Sequence, residues 1–154
     1  LLKLQLIGSL DNSSTRLNIE SLIQRYKLED RVVMTGSVER DGIPELLFNS
    51  DILALARPNN KQAEGGFPTK LGEYLATGNI VVVTNVGEIG VFLEDKKNAY
   101  ISEPDSAEKF SQKLREALLD NNPSQIGNEG RKLVYNEFNY LKQAKLLEKM
   151  FLEV

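Results

Sequence analysis

The chain contains neither cysteine nor histidine. The first absence leaves no disulfide framework and no thiolate zinc site, and it suits a reducing compartment. The second removes the Ser/His triad, the Cys/His pair and every His-ligated metal centre. Chemistry must therefore rest on carboxylates, lysine, arginine and backbone amides. A bilayer-length apolar run is missing too: the longest, such as Ile80 to Val83, fall far short, and nothing at the amino end has the layout of a signal peptide. A cytoplasmic location without a transmembrane segment is the expectation.

Excess positive charge is also lacking. With 19 Lys and Arg against 22 Asp and Glu, the formal net charge is -3, and the basic residues are scattered rather than striped. Such a chain offers no field for a phosphate polymer, so no nucleic-acid partner is expected. What remains is ordinary: 154 residues, 41% hydrophobic and 27% charged, enough for a single core and the composition of a soluble globular domain.

Apolar patterning alternates between two periods. Leu4, Leu6 and Ile7 before Gly8-Ser9 read as a strand within an opening run, Leu1 to Ile7, that starts without Met and looks excised from a longer protein. Ile19, Leu22, Ile23 and Tyr26 keep the spacing of one helical face, which predicts a helix over about residues 15 to 27. Arg31 to Thr35 and Asp51 to Ala56 read as strands, with a short helix from Asp41 through Phe48 between them. A long polar loop from Arg57 to Gly66 precedes a helix from Pro68 to Thr77, closed by Gly78 as a left-handed cap. The β-branched run Ile80 to Thr84 suits a strand covered on both faces. A short helix over Gly87 to Leu93 and a strand over Ala99 to Ile101 follow. Asp105-Ser106-Ala107-Glu108 reads as a capping box opening a helix to Leu119, with Ala107, Phe110, Leu114, Ala117 and Leu118 on its inner face. Helices around Ile126 to Phe138 and from about Tyr140 to Phe151 complete the chain.

Strands alternating with helices predict an α/β fold: a Rossmann-like, doubly wound parallel sheet with right-handed crossovers. Ligands of such sheets bind beyond the carboxyl ends of the strands, so the loops after Ile7, Thr35, Ala56 and Thr84 form the functional rim. Arg57 and Lys61 lie in that rim, where either could contact phosphate, although surface solvation is the simpler reading.

One rim loop gathers several requirements of an anion site. Gly65 and Gly66 permit close backbone approach, and the first-turn amides of Thr69 and Lys70 carry partial positive charge beside the full charge of Lys70. Leu71, Tyr74 and Leu75 face the sheet, whereas Lys70, Glu73 and Thr77 share the opposite stripe. Amides and lysine suit a diphosphate, and a carboxylate suits the paired hydroxyls of a ribose. The same spacing equally describes a surface helix with an i, i+3 ion pair after a glycine-rich turn.

The run Gly66-Phe67-Pro68-Thr69-Lys70-Leu71-Gly72-Glu73-Tyr74-Leu75-Ala76-Thr77-Gly78, followed by Asn79 to Thr84, closely resembles the donor-site signature of the family 4 glycosyltransferases, the glycosyl transferases group 1 domain. Leu6 to Ser9, Val33 to Val38, Asn49 to Ile52 and Asn98 to Pro104 are similar to further family segments, in the expected order along the whole chain. Lys70-x-x-Glu73-Tyr74 matches a subset of these enzymes.

The resemblance implies the C-terminal, donor-binding half of a two-domain GT-B enzyme, spanning residues 1–154 and truncated at its amino end. It implies transfer of a sugar from a UDP- or GDP-sugar to a glycan or lipid-linked acceptor, with retained configuration and neither metal nor other cofactor. Glu73 would hold the ribose, and Gly65, Gly66, Phe67, Pro68, Thr69 and Lys70 would meet the sugar and phosphates. Gly36, Ser37 and Val38 would flank the base, and Gly8 and Ser9 would pass near the diphosphate. Lys70 and Glu64 are the catalytic candidates.

Two departures stand out. The signature's first Glu falls on Gly65, with Glu64 one place earlier, and the basic pair that grips the diphosphate lies upstream of Leu1. The acceptor domain, the partner this half needs, would be the absent N-terminal part, through which peripheral membrane contact stays open; the isolated piece is expected to bind donor weakly and transfer nothing. Two alternatives are a nucleotide-sugar epimerase half and a non-catalytic interaction module with a degenerate donor site.

Overall fold

The structure is a computed structural model that describes residues 2–152, so Leu1 of the opening run lies outside the described residues. It divides into two compact units, the first ending at Leu46 and the second beginning at Leu47. Each carries parallel strands, as the alternating pattern requires.

In the first unit, β1 (Leu4–Ile7) pairs in parallel with β2 (Val32–Gly36), Leu4 opposite Val32 and Leu6 opposite Met34, with a register shift before Ile7. Between them runs α1 (Ser13–Tyr26). It starts two residues earlier than its apolar periodicity, because the Asn12 side chain accepts from the amides of Ser14 at 3.0 Å and Thr15 at 3.4 Å. Of its apolar stripe, Ile19 and Ile23 are half-buried while Leu22 and Tyr26 stay exposed. A single 3-10 turn (Arg40–Gly42) leads into α2 (Ile43–Phe48).

The second unit is built on a three-stranded parallel sheet in the order β3 (Ile52–Leu55), β4 (Ile80–Thr84), β5 (Tyr100–Ser102). All five residues of the central strand are buried, as its β-branched run implies. Ile80 and Val82 join Tyr100, Ala117 and Ile126 in one apolar cluster, with Phe110 and Leu114 packed against it. Val81 and Val83 point to the opposite face and are just as covered. Full burial of each such side chain contributes about 1.5–3 kcal/mol.

The helices that cover this sheet are α4 (Thr69–Thr77), α6 (Ala107–Leu118) and α7 (Pro123–Glu137). Leu71 and Leu75 of α4 are essentially sealed, and Gly78 caps the helix at φ 78°. Thr77 departs from its expected place on the outer stripe. It is 8% exposed, because at the last turn its hydroxyl folds back to donate to the Tyr74 carbonyl at 2.7 Å and accept from the Asn79 amide at 3.0 Å.

Three other expectations need correction. The rim loop contains a one-turn helix, α3 (Lys61–Glu64), because Asn60 caps it by accepting from the Ala63 amide at 2.9 Å. Helix α5 is shorter than Gly87 to Leu93 and covers only Ile89–Phe92. The cap of α6 is Ser106, which accepts from the Lys109 amide at 3.2 Å, while Asp105 sits at φ 57° and turns elsewhere; Ala107 and Leu118 are exposed. The last helix, α8 (Tyr140–Leu152), buries none of its residues, and among the described residues no helix is long and apolar enough to cross a membrane.

A polar network braces β5 against α6. The buried Tyr100 donates its hydroxyl to the Asp120 carboxylate, and burial followed by that carboxylate pushes the phenol well above its usual range. Tyr100, together with the Asn122 amide at 2.6 Å, holds Asp120 below the usual carboxylate range. Lys96 at 3.1 Å and Lys113 at 3.3 Å do the same for Glu116. Both carboxylates are more acidic folded than unfolded, so their contribution is complete above their ordinary values of 3.8 and 4.5 and is lost as pH falls through the folded values. The urea midpoint should hold between pH 7 and about 5 and then fall, less steeply in a chain carrying Asp120→Asn and Glu116→Gln.

Candidate functional site

The carboxyl ends of β3, β4 and β5 open into loops at residues 56–68, 85–88 and 103–106. The first is clamped twice. The Thr84 hydroxyl, buried at the end of β4, accepts from the Arg57 amide at 2.8 Å and donates to the Arg57 carbonyl at 2.9 Å, which carries the β3–β4 ladder one step past the strands. Two residues on, the Asp105 carboxylate freed from its expected capping duty accepts from the Asn59 amide at 3.2 and 3.3 Å. The chain then enters α3, whose exposed last residue is Glu64, and emerges at Gly65 and Gly66.

Gly87, in the loop leaving β4, fixes where that glycine turn lies. Its φ is 58°, and a Cβ there would fall 2.4 Å from the Ala63 carbonyl oxygen and 3.1 Å from that of Gly66. The two backbones therefore touch at the carboxyl edge of the sheet, the edge at which ligands of this architecture bind. Sequence reasoning placed Gly87 inside a helix and missed this role. The available signal was a glycine three residues past a buried β-branched strand, followed by an acidic residue.

Phe67 enters next, and its ring lies 5.4 Å from that of Phe92 and 4.8 Å from that of Phe138, which are themselves 5.1 Å apart. The ring thus anchors the turn to α5 and the end of α7. Pro68, extended at φ -72° and ψ 120°, then opens α4 without a side-chain cap. The Leu71 amide reaches the Pro68 carbonyl at 3.0 Å, whereas Thr69 and Lys70 stand in the first turn with amides that have no intrahelical acceptor. Such an end carries a partial positive charge.

Lys70 and Glu73 are both exposed, one turn apart, and no ion pair among the described residues joins them. The i, i+3 ion pair of the surface-helix reading is therefore not formed. Both groups remain open to a ligand. Next to Glu73, the half-buried Tyr74 phenol is raised above its usual range, by burial first and by the Glu73 charge second.

The first unit brings its own candidates together. Gly8, at φ 127°, donates its amide to the carbonyl of Gly36, at φ 70°, over 3.1 Å, so the turn after β1 and the turn after β2 meet. Ser9 is exposed and donates its hydroxyl to the Asp11 carboxylate. Ser37 is exposed and Val38 half-buried. The candidate residues thus fall into two sets, one within each unit. Among the described residues no three acidic side chains gather in a way that could hold a metal ion.

The model of the glycosyl transferases group 1 family matches residues 2–133. No curated protein matches the chain. Among solved structures, Anabaena HepE in complex with UDP-glucose aligns with a TM-score of 0.82 at 17% identity, over 99% of this chain and 41% of that one. Sucrose-phosphate synthase from Thermosynechococcus elongatus aligns with a TM-score of 0.80 at 22% identity, over 99% and 39%. The C-terminal domain of a glycosyl transferase group 1 family protein from Francisella tularensis aligns with a TM-score of 0.73 at 21% identity, over 85% and 66%. The chain spans about two fifths of the length of the first two.

Proposed function

The chain belongs to the glycosyl transferases group 1 family, and on that premise we propose that it is the nucleotide-sugar-binding half of a retaining glycosyltransferase that works without a metal. The fold is that of the C-terminal, Rossmann-like half of a GT-B glycosyltransferase. One observation carries the donor reading: the Gly65-Gly66 turn is seated against Gly87 at the carboxyl edge of the sheet and opens an α4 at which the Thr69 and Lys70 amides, the Lys70 ammonium and the Glu73 carboxylate have no partner among the described residues.

In this reading the amides of Thr69 and Lys70, with the Lys70 ammonium, receive the diphosphate of a UDP- or GDP-sugar. Glu73 accepts hydrogen bonds from the ribose hydroxyls. Glu64, exposed at the end of α3, reaches for the donor sugar in place of the missing first carboxylate of the signature. Negative charge grows on the diphosphate as the sugar moves to an acceptor hydroxyl, and groups already aimed there lower the barrier because they need no reorganisation. HepE in complex with UDP-glucose, whose fold this chain shares, supports a uridine donor. A glycan or lipid-linked acceptor, cytoplasmic work on cell-surface polysaccharides, membership of family 4 and an acceptor-binding N-terminal half complete the proposal.

Titrating UDP and GDP into the labelled chain tests it. One of them should perturb the amides of Gly66, Lys70 and Glu73 in saturable fashion. Silence at all three with both nucleotides would favour a non-catalytic interaction module.

A further inference from the structure

Arg57 leaves β3 at the same carboxyl edge, and its surroundings are unlike those of a solvated rim residue. Its main chain is fixed on both sides by the Thr84 hydroxyl, at 2.8 and 2.9 Å, and the loop that follows is tied down by Asp105. The side chain is half-buried, and its Nη1 is buried with no hydrogen-bond partner. None of the ion pairs among the described residues includes it. A guanidinium N–H withdrawn from water without an acceptor is costly, and a basic group in that condition is seldom left unmatched. Here no carboxylate of the described residues supplies the match, while two backbone clamps preset the arginine's position. Such a group is arranged for an acceptor that arrives from outside, and its planar fork fits the oxygens of a phosphate or a carboxylate.

We propose that Arg57 recognises an anionic oxygen of the nucleotide sugar, drawn from the diphosphate or from a carboxylate on the transferred sugar. The assignment rests on the donor reading above. It adds a cationic residue, just past the carboxyl end of β3, that the signature helix does not contain.

The test follows the Arg57 Nε–Hε resonance in the chain while pyrophosphate, UDP, GDP, UDP-glucose and UDP-glucuronate are added, with Kd measured for wild type, Arg57→Gln and Arg57→Lys. If the diphosphate is the partner, pyrophosphate shifts the resonance, and Arg57→Gln weakens UDP and both UDP-sugars alike by about ten-fold, with partial rescue by Arg57→Lys. If a sugar carboxylate is the partner, only UDP-glucuronate is weakened. A merely structural arginine would lower the thermal midpoint of the variant without changing the rise that ligand produces, and that result overturns the proposal. So does an Arg57 resonance unmoved by all five compounds. Gly66 and Glu73 responding in that same experiment would leave the donor reading standing without Arg57. The converse, Arg57 responding to pyrophosphate while Gly66 and Glu73 ignore every nucleotide, would leave an anion site and remove the donor reading.

Discussion

Gly127→Ala should unfold the chain at a thermal midpoint about 10 °C below that of the wild type, a loss on the order of 3 kcal/mol. The cause is a backbone-to-backbone contact. A Cβ at position 127 would lie 1.9 Å from the Gly78 carbonyl oxygen, 2.8 Å from the Gly78 carbonyl carbon and 3.2 Å from the carbonyl carbon of Asn79. No rotamer relieves such a clash, because neither partner is the end of a flexible side chain. One turn on, a Cβ at Gly130 would meet the Asn98 carbonyl oxygen at 2.7 Å and Leu75 at 2.8 Å. Helix α7 therefore rests directly on the end of α4, and an added methyl has to lift it and reopen the seal over Ile126 and Leu75. Gln125→Ala, at an exposed position of the same helix, should change stability by less than about 0.5 kcal/mol. Equal midpoints for Gly127→Ala and Gln125→Ala would mean that α7 does not approach this closely.

Gly87→Ala should act on binding. Its methyl would press on the Ala63 carbonyl at 2.4 Å, and its φ of 58° strains any residue with a side chain. The turn carrying Gly65 and Gly66 must then move off the end of β4, taking the entry to α4 with it. Displacing preorganised donors from an anion by even an ångström is expensive, so nucleoside diphosphate affinity should fall by about ten-fold or more. Because the contact lies at the rim and not under the core cluster of Ile80, Val82 and Ile126, amide dispersion over β4 and α7 should survive. Unchanged affinity would show that the turn's height above the sheet is irrelevant to ligand binding.

Much of this was legible along the chain. The run Ile80 to Thr84 announced its own burial on both faces, because five consecutive β-branched residues have no polar side to turn to water. Lys70, Leu71, Glu73 and Leu75 sorted themselves into outer and inner positions by helical period alone. Gly78 marked the helix end because only a left-handed residue closes it there. What escaped depends on partners distant in sequence. Asp105 resembles a capping residue locally, yet its carboxylate goes to an amide 46 positions earlier. Gly87 looks like helix until Ala63 and Gly66 are placed against it. Thr77 lies on the polar stripe by angle, but it turns inward at the final turn, where its hydroxyl donates to the Tyr74 carbonyl and accepts from the Asn79 amide. For Arg57 the sequence leaves solvation and phosphate contact side by side, and only the burial of its Nη1 separates them. Periodicity reports which way a side chain leaves its own element, and it carries no information about what arrives from another.

The most direct test of the account asks whether the Glu73 carboxylate holds the ribose. UDP and its 2′,3′-dideoxy analogue, or the guanosine pair if GDP binds better, should be titrated against wild type and Glu73→Ala. The expected result is a loss of about ten-fold in wild type on removing the hydroxyls, and no further loss in Glu73→Ala, which binds both nucleotides equally weakly. An identical drop in the two proteins would contradict the account, because the hydroxyls would then be recognised without Glu73.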